Sequence, residues 1–355
     1  MDATLTDEEQ LLADTAAKLA GDLAAGPPDP DRAWAVVADS GMATMRPADG
    51  ASAMDAVVCL EAFGRLASTA PLLGPMLAAE LLAVTGADGA NVDGGAADRV
   101  GGANGVAAAR TTVAVAADLS DVAVLDGLHG LDGLDGAGAS RGAGAEAPLA
   151  FDARGATEAV ALARHGDGMV PVLAGIGGEP PRSAELSRDL VALAGPVRVV
   201  GDPVDADRLE RWRTLGLVLV CADMVGAMAG ALAMAVAYAK ELRQFGRPIG
   251  SFQAIAHLCA EQHVSVEAAR SATYYAAWAV DEPDAAAAAM AAVVAKAYVG
   301  RVSRQVGEAV LQVHGGIGQT WECDAHVFLR RLLVDRALLG DEHRQEAVLI
   351  SRIGG

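Results

Sequence analysis

Two short segments hold the residue types that act on a bound ligand. The first reads RQFGRPIGSFQ, from Arg243 to Gln253. It places Arg243, Phe245 and the carboxamide of Gln253 around a Gly and Pro turn between two long apolar runs. The second reads QVHGGIGQTWE, from Gln312 to Glu322, and centres on the pair Gly315–Gly316. Adjacent glycines let main chain approach a ligand closely and present amide donors to it. Gln312, Val313 and His314 lead into that pair. Taken singly, each segment serves equally well to close a helix hairpin or end a helix. Other chemistries find no matching pattern. The seven histidines include no HExxH, and His257 and His263, six apart, do not share a helix face. Cys323 and His326 are three apart but have no second pair. A GxSxG elbow is absent, and GIGG at Gly175–Gly178 lacks the GxGxxG spacing of a nicotinamide site.

The elements that must position these segments follow from periodicity and breakers. Thr6 and Glu9 have the spacing of a capping box, and Leu11, Leu12, Thr15 and Leu19 follow at helical spacing. GPPDP (Gly26–Pro30) ends that helix. A second helix carries Trp34 and Val37 and stops near Gly41. RPADGAS reads as a turn, and helices over Met54–Ser68 and Pro75–Thr85 follow. From Gly86 to about Gly201 the chain is rich in Gly and Asp. Short β-type runs appear there at Thr111–Ala116, Val122–Leu125, Met169–Leu173 and Val197–Val200. Between them Leu128–Glu146 is low-complexity and reads as a flexible loop. Beyond Asp205 helices return. The pattern predicts one over Leu215–Glu241, one N-capped by Ser251 and running towards Val280, and one from the EPDAA turn (Glu282–Ala286) through Leu311. Two shorter ones cover Cys323–Leu338 and Glu342–Ile350. The expected fold class is mainly α with a small β domain. Residues 1–88 form an N-terminal helical domain, 89–204 a middle β domain and 205–355 a C-terminal helical bundle domain.

Composition narrows the function. The 355 residues carry a net charge of −19, which disfavours nucleic acid and anionic membrane surfaces as partners. Hydrophobic residues reach 52% with only 4% aromatic, so helices are expected to pack through alanine and other small side chains. Leu215–Ala239 is long enough to span a bilayer, yet Asp223 sits near its middle, where a charge costs a few kcal/mol in lipid. A helix buried inside protein accounts for the run, and no membrane is expected. The four cysteines form no CxxC pair and read as reduced thiols, and MDATLTDEEQ is not a signal peptide. The expected location is cytoplasmic.

The two chemical segments, in this order and about 70 residues apart on a helical bundle, resemble the acyl-CoA dehydrogenase family. Its typical forms are RxQFGxPIxxFQ and QxxGGxG. The resemblance is strongest over 205–355 and extends to 1–86, where LEAFGRLASTAPLLGPMLAAELL (Leu60–Leu82) is similar to the family's N-terminal helices. The middle domain is similar in size and position. The resemblance implies a middle β-barrel-type domain and a C-terminal four-helix bundle. It implies an FAD-dependent acyl-CoA dehydrogenase, an oxidoreductase of lipid or steroid side-chain β-oxidation. Such an enzyme removes the α proton of an acyl-CoA thioester and passes a β hydride to the flavin, giving a 2-enoyl-CoA. It implies FAD shared across a subunit interface, a homo- or hetero-oligomer with a homologue, and electron-transfer flavoprotein as acceptor. Carried onto this sequence, the cofactor-binding residues are Arg243, Phe245, Gln253, Gln312, Val313, His314, Gly315 and Gly316. His314 is expected to orient or pack rather than act as a base.

Three positions depart from the family pattern. The arginine expected three residues before Phe245 is Leu242, which leaves Arg243 or Arg247 to compensate; if 242 and 243 are helical, their side chains point about 100° apart. The catalytic glutamate falls on Leu339, followed by Gly340, when aligned from GGIG, and on Gly216 when aligned from FG. Neither side chain can take a proton. The nearby acids Asp223, Asp341 and Glu342 are each expected to be structural, so the catalytic residue stays unassigned. A TEPxxGSD-like flavin loop has no counterpart in Gly175–Ser183. Two readings stay open: a dehydrogenase subunit, or a non-catalytic partner that completes the FAD site of an active homologue. The Gly- and Ala-rich stretch Gly226–Ala233 reads as room for a bulky acyl group such as a sterol.

Overall fold

The computed structural model describes residues 5–25, 29–85, 110–125, 148–165, 168–177 and 183–354. The low-complexity stretch Leu128–Glu146 and much of Gly175–Ser183 lie outside the described residues.

Thr6 caps helix α1 (Asp7–Ala24) as its spacing predicts. Its hydroxyl accepts from the Glu9 amide at 3.2 Å, and the Glu9 carboxylate accepts from the Thr6 amide at 2.7 Å. Helix α2 (Pro30–Ser40) starts on Asp29 and ends at Gly41, whose φ of 71° is the left-handed turn glycine adopts freely. RPADGAS, read as a turn, holds a short helix, α3 (Met45–Asp49), before α4 (Ala53–Arg65) and α5 (Leu73–Val84).

Among the described residues six strands follow: β1 (Thr111–Val115), β2 (Val124–Leu125), β3 (Leu149–Phe151), β4 (Glu158–His165), β5 (Gly168–Ile176) and β6 (Val191–Val199). They pair in the order β1-β3-β6-β5-β4, and β4 returns to β1 in parallel, which closes a barrel. β2 continues along the same edge of β4, with Val124 opposite Leu162. Sequence reading missed β4 because EAVALARH is alanine-rich, and alanine has no strand preference of its own. Its burial against both neighbours makes it a strand: Ala159–Ala163 are fully buried.

The chain then returns to helices. Helix α6 (Ala206–Glu241) runs through the centre, against α4, α7 (Gln253–Asp281) and α8 (Ala285–His314). Two shorter helices, α9 (Ala325–Ala337) and α10 (Glu342–Ile353), complete the bundle. The Trp212 indole donates to the Leu77 carbonyl at 3.0 Å and ties α6 to α5. Among the described residues, two helices are long and apolar enough to cross a membrane by length and composition. The most apolar stretch of Ala206–Glu241 is 78% buried inside the protein, and Asp223 within it is ion-paired.

The glycines of α6 correct one expectation. A β-carbon on Gly226 would overlap the Glu61 carbonyl of α4, one on Gly230 the Arg65 carbonyl, and one on Gly64 the Asp223 carbonyl. The missing side chains let two helix backbones touch. That space is filled by α4, so Gly226 and Gly230 leave no room for an acyl group.

Candidate functional site

Helix α6 ends at Glu241, and Leu242 is already extended (ψ 123°). Strands β7 (Arg243–Gln244) and β8 (Arg247–Pro248) then form a two-residue hairpin. Its tip residues, Phe245 (φ 53°) and Gly246 (φ 80°), both have positive φ, the conformation a tight I′ turn requires. The helical offset argued between Leu242 and Arg243 therefore does not apply: Arg243 stands on an exposed strand and Leu242 is half-buried. A bulky residue at positive φ is strained by roughly 1–3 kcal/mol. Here that strain aims a phenyl ring outward, and Phe245 is 93% exposed. Phe252 meets it edge-on at 6.2 Å, and the Arg247 guanidinium lies 4.0 Å over the Phe252 ring.

The next helix starts at Gln253, with Phe252 rather than Ser251 at the N-cap. The Ser251 hydroxyl donates to the Pro248 carbonyl at 2.7 Å instead. No side chain caps the first amides of α7, which leaves donors and the positive end of a helix dipole beside the exposed Gln253.

Helix α8 ends at His314, and Gly315–Gln319 make a 3-10 turn. Gly315 has φ 66° and ψ −142°, a region only glycine occupies without strain. A β-carbon on Gly315 or on Gly316 would meet no atom within 4 Å, so the main chain there is uncovered. Gln312 is exposed and Val313 buried. His314 is buried; its Nδ1 lies 2.8 Å from the Val310 carbonyl and its ring stacks on Tyr238 at 4.6 Å. It packs between the Val310 carbonyl and the Tyr238 ring. That stack also joins the two segments, because Tyr238 precedes the hairpin by about one helical turn and His314 touches Gly315 in sequence. The hairpin, the start of α7 and the open glycines thus share one end of the bundle.

Residues 214–354 match the family model described as acyl-CoA dehydrogenase, C-terminal domain. This part of the chain is an acyl-CoA dehydrogenase C-terminal domain. Among curated proteins the chain is 40% identical over 156 residues to acyl-CoA dehydrogenase FadE34 of Mycobacterium tuberculosis, covering 43% of this chain and 21% of that protein. It is 31% identical over 168 residues to acyl-CoA dehydrogenase IpdE2 of Mycolicibacterium smegmatis, covering 47% of this chain and 50% of that protein. The match thus spans half or less of each relative's length. Among solved structures, the ChsE4-ChsE5 complex from Mycobacterium tuberculosis superimposes with a TM-score of 0.72 at 22% identity, over 100% of this chain and 99% of that one. A Tcur3481-Tcur3483 steroid ACAD variant does so with a TM-score of 0.76 at 22% identity, over 99% of both chains. The fold is that of the acyl-CoA dehydrogenases.

The two positions onto which the resemblance places a catalytic glutamate, Gly216 and Leu339, meet in space. Leu339 lies against Gly216: a β-carbon on the glycine would stand 2.8 Å from Leu339 Cδ1 and 3.3 Å from Leu77 Cδ2. Both Leu339 and Leu77 are buried. The turn that carries Leu339 (φ 58°) and Gly340 (φ 95°) is held from several sides. Leu339 donates its amide to the Leu119 carbonyl at 2.8 Å. The fully buried Lys296 ammonium donates to the carbonyls of Arg336 (2.7 Å) and Gly340 (3.0 Å), and Gln345 donates to those of Leu339 and Gly340. Burial pushes Lys296 down to about 8.

The three nearby acids are occupied elsewhere. Asp341 caps α10 by accepting from the Arg344 amide at 3.0 Å. Glu342 accepts from Arg336 Nε at 2.6 Å. Asp223 accepts a bidentate fork from Arg331, at 2.6 and 2.9 Å, and a contact from Arg188 at 2.7 Å. Burial opposes its charge, but Arg188 and Arg331 hold its carboxyl well below the ordinary range. Sequence reading missed this cluster. Asp152, Arg188, Asp223 and the Arg331–Asp335 pair of α9 are separated widely in the chain, and only folding joins them.

The best-formed cavity among the described residues, lined by Leu23, Asp29, Arg32, Thr69, Ala70 and Arg154, has a volume of about 20 Å³. That is room for roughly one water, whereas small-molecule pockets take roughly 300–1,000 Å³.

Proposed function

We propose that this chain is the non-catalytic subunit of an acyl-CoA dehydrogenase assembly, completing an FAD site whose larger part belongs to a homologous catalytic subunit. One observation carries the reading. Both places that align with a catalytic glutamate, Gly216 and Leu339, are joined in a single apolar contact, so no carboxylate stands there to take an α proton.

The residues left at the open end of the bundle suit the cofactor. Gly315 and Gly316 admit a ligand to bare main chain, and Phe245 offers an apolar ring. The uncapped amides of α7 and the exposed Arg243 and Arg247 offer the positive potential a pyrophosphate needs. FAD, when bound, supplies the hydride acceptor. The chain's own part is to bind and orient it: Gln253 by its carboxamide, Gln312 from the end of α8, and His314 and Val313 by fixing the glycine turn from below. Two of the similar structures are complexes of two differently named chains, ChsE4 with ChsE5 and Tcur3481 with Tcur3483, which favours a hetero-oligomer. We extend the reading to an acyl-CoA of lipid or steroid side-chain type as substrate, electron-transfer flavoprotein as acceptor and the cytoplasm as location.

The test is to purify the chain alone and together with a co-expressed homologue from a neighbouring gene. The chain alone is expected to be colourless and inactive. The pair is expected to hold near-stoichiometric flavin and to oxidise acyl-CoA with ferrocenium as acceptor. A chain that binds flavin and oxidises acyl-CoA unaided refutes the proposal.

A further inference from the structure

The hairpin and the glycine turn at the open end of the bundle follow different helices, and Tyr238 connects them. Tyr238 stands in the last turn of α6 and is half-buried. Its main chain holds the base of the hairpin. The Leu242 amide donates to the Tyr238 carbonyl at 2.9 Å, and the Ile249 amide donates to the Leu242 carbonyl at 2.8 Å. Beyond β8 the chain stays against the same turn of helix. Ile249 is buried, and a β-carbon on Gly250 would stand 3.0 Å from the Ala239 carbonyl. The base of the hairpin is thus seated on the end of α6.

The ring of Tyr238 serves the other segment. It stacks on His314 with centroids 4.6 Å apart and 24° between the planes. His314 is fixed in turn along α8, its Nδ1 lying 2.8 Å from the Val310 carbonyl. A β-carbon on Gly318 would stand 2.9 Å from His314 Cβ, so the glycine turn folds back onto this residue. Gly315 follows His314 directly and donates its amide to the Leu311 carbonyl. The Thr320 amide closes the turn on the Ile317 carbonyl at 3.0 Å. Two stacked flat rings fix orientation as well as distance.

We propose that Tyr238 is a positioning residue that couples the hairpin to the glycine turn, so that Phe245, Gln253 and the bare main chain of Gly315–Gly316 close on FAD as one clamp. The identity of the ligand rests on the function proposed above; the coupling of the two segments rests on the contacts just described. Tyr238 acts through Leu242 on one side and His314 on the other. Order imposed on one segment is therefore passed to the other, and losing the ring weakens the clamp without removing a contact to the ligand.

The experiment compares Tyr238→Phe, Tyr238→Leu, His314→Leu and the double leucine variant in the full chain. Amide hydrogen exchange is read at Gly315 and Thr320, with urea unfolding beside it. Phenylalanine keeps the stacked face, so Tyr238→Phe is expected to exchange like the wild type. Tyr238→Leu keeps apolar bulk but no ring. It is expected to speed exchange at both amides by roughly three- to tenfold, the worth of one aromatic pair. His314→Leu is expected to do the same, and the double variant no more than either, because all three remove one contact. Unchanged exchange in Tyr238→Leu overturns the proposal, as do additive effects in the double variant. So does a Tyr238→Leu chain in which all amides open alike, since that marks a general loss of stability. In the assembly with a co-expressed homologue, Tyr238→Leu is expected to retain at least roughly threefold less flavin, and Tyr238→Phe the wild-type amount. Equal flavin in both overturns the clamp. If the wild-type assembly holds no flavin, the function proposed above falls, while the exchange rates still decide the coupling.

Discussion

The Leu339 side chain lies over Gly216, with its Cδ1 2.8 Å from where a β-carbon on that glycine would stand. Two positions far apart in sequence thereby cover each other with hydrocarbon. Restoring the acid in place is expected to fail as a gain of function. Leu339→Glu buries a carboxyl against Leu77 and Gly216, at a cost of about 3 kcal/mol. Urea unfolding is expected to register that loss, and the ferrocenium assay on the isolated variant is expected to stay at background. Turnover by Leu339→Glu alone would mean that the missing base is this chain's sole defect.

The open glycines separate stability from cofactor binding. A side chain at Gly316 meets no atom within 4 Å, and its φ is not positive. Gly316→Val is therefore expected to unfold within roughly 0.5 kcal/mol of the wild type. Flavin retained by the assembly with a homologue is expected to fall at least tenfold, read from the visible spectrum after gel filtration. Undiminished flavin would remove this turn from the cofactor site.

Helix–helix contact through glycine is expected to be intolerant of a single methyl. In Gly230→Ala the new carbon overlaps the Arg65 carbonyl, and α6 must draw away from α4, at about 3 kcal/mol or more. Gly21→Ala on α1 is the control, since no atom lies within 4 Å of its new carbon. It is expected to gain roughly 0.5–1 kcal/mol from helix propensity. Thermal unfolding of the two variants is expected to shift in opposite directions.

Lys296 sets a pH dependence of stability. Its ammonium is held at about 8, below the ordinary 10.5. Between those values the unfolded chain binds a proton that the folded chain lacks. Stability from this group therefore rises with pH by up to about 1.4 kcal/mol per unit, and is lost as pH falls back through 8. Lys296→Met is expected to remove that rise. Buried thiols such as Cys59, pushed up to about 12, titrate in both proteins, so the difference between the two urea curves from pH 8 to 10.5 isolates Lys296.

The turns of the two candidate segments were legible because their backbone demands are written locally. A glycine pair after a helical run and a Phe–Gly dipeptide between helices are demands on φ, which single residues satisfy or fail to satisfy. The first helix was legible through the Thr6 and Glu9 side chains, which bond to each other's backbone and to one another. Ser251 was misread for the same local reason: a serine caps a helix or closes a turn with the same hydroxyl, and the position of Pro248 selected the turn. Strand β4 was missed because alanine carries no strand signal and its partners β1 and β5 decide its state.

By itself the sequence determined the order of helical lobe, strand-rich middle and helical bundle, the two glycine-centred segments and the absence of a carboxylate at positions 216 and 339. These depend on residue type and short spacing, which survive without a fold. The tertiary structure alone decided that positions 216 and 339 are one place, that Gly226 and Gly230 receive a helix rather than a ligand, and that Arg188, Arg331, Asp152, Asp223 and Asp335 form one buried cluster. Contacts between residues distant in the chain depend on how whole elements pack, and no local pattern encodes the partner of a buried charge.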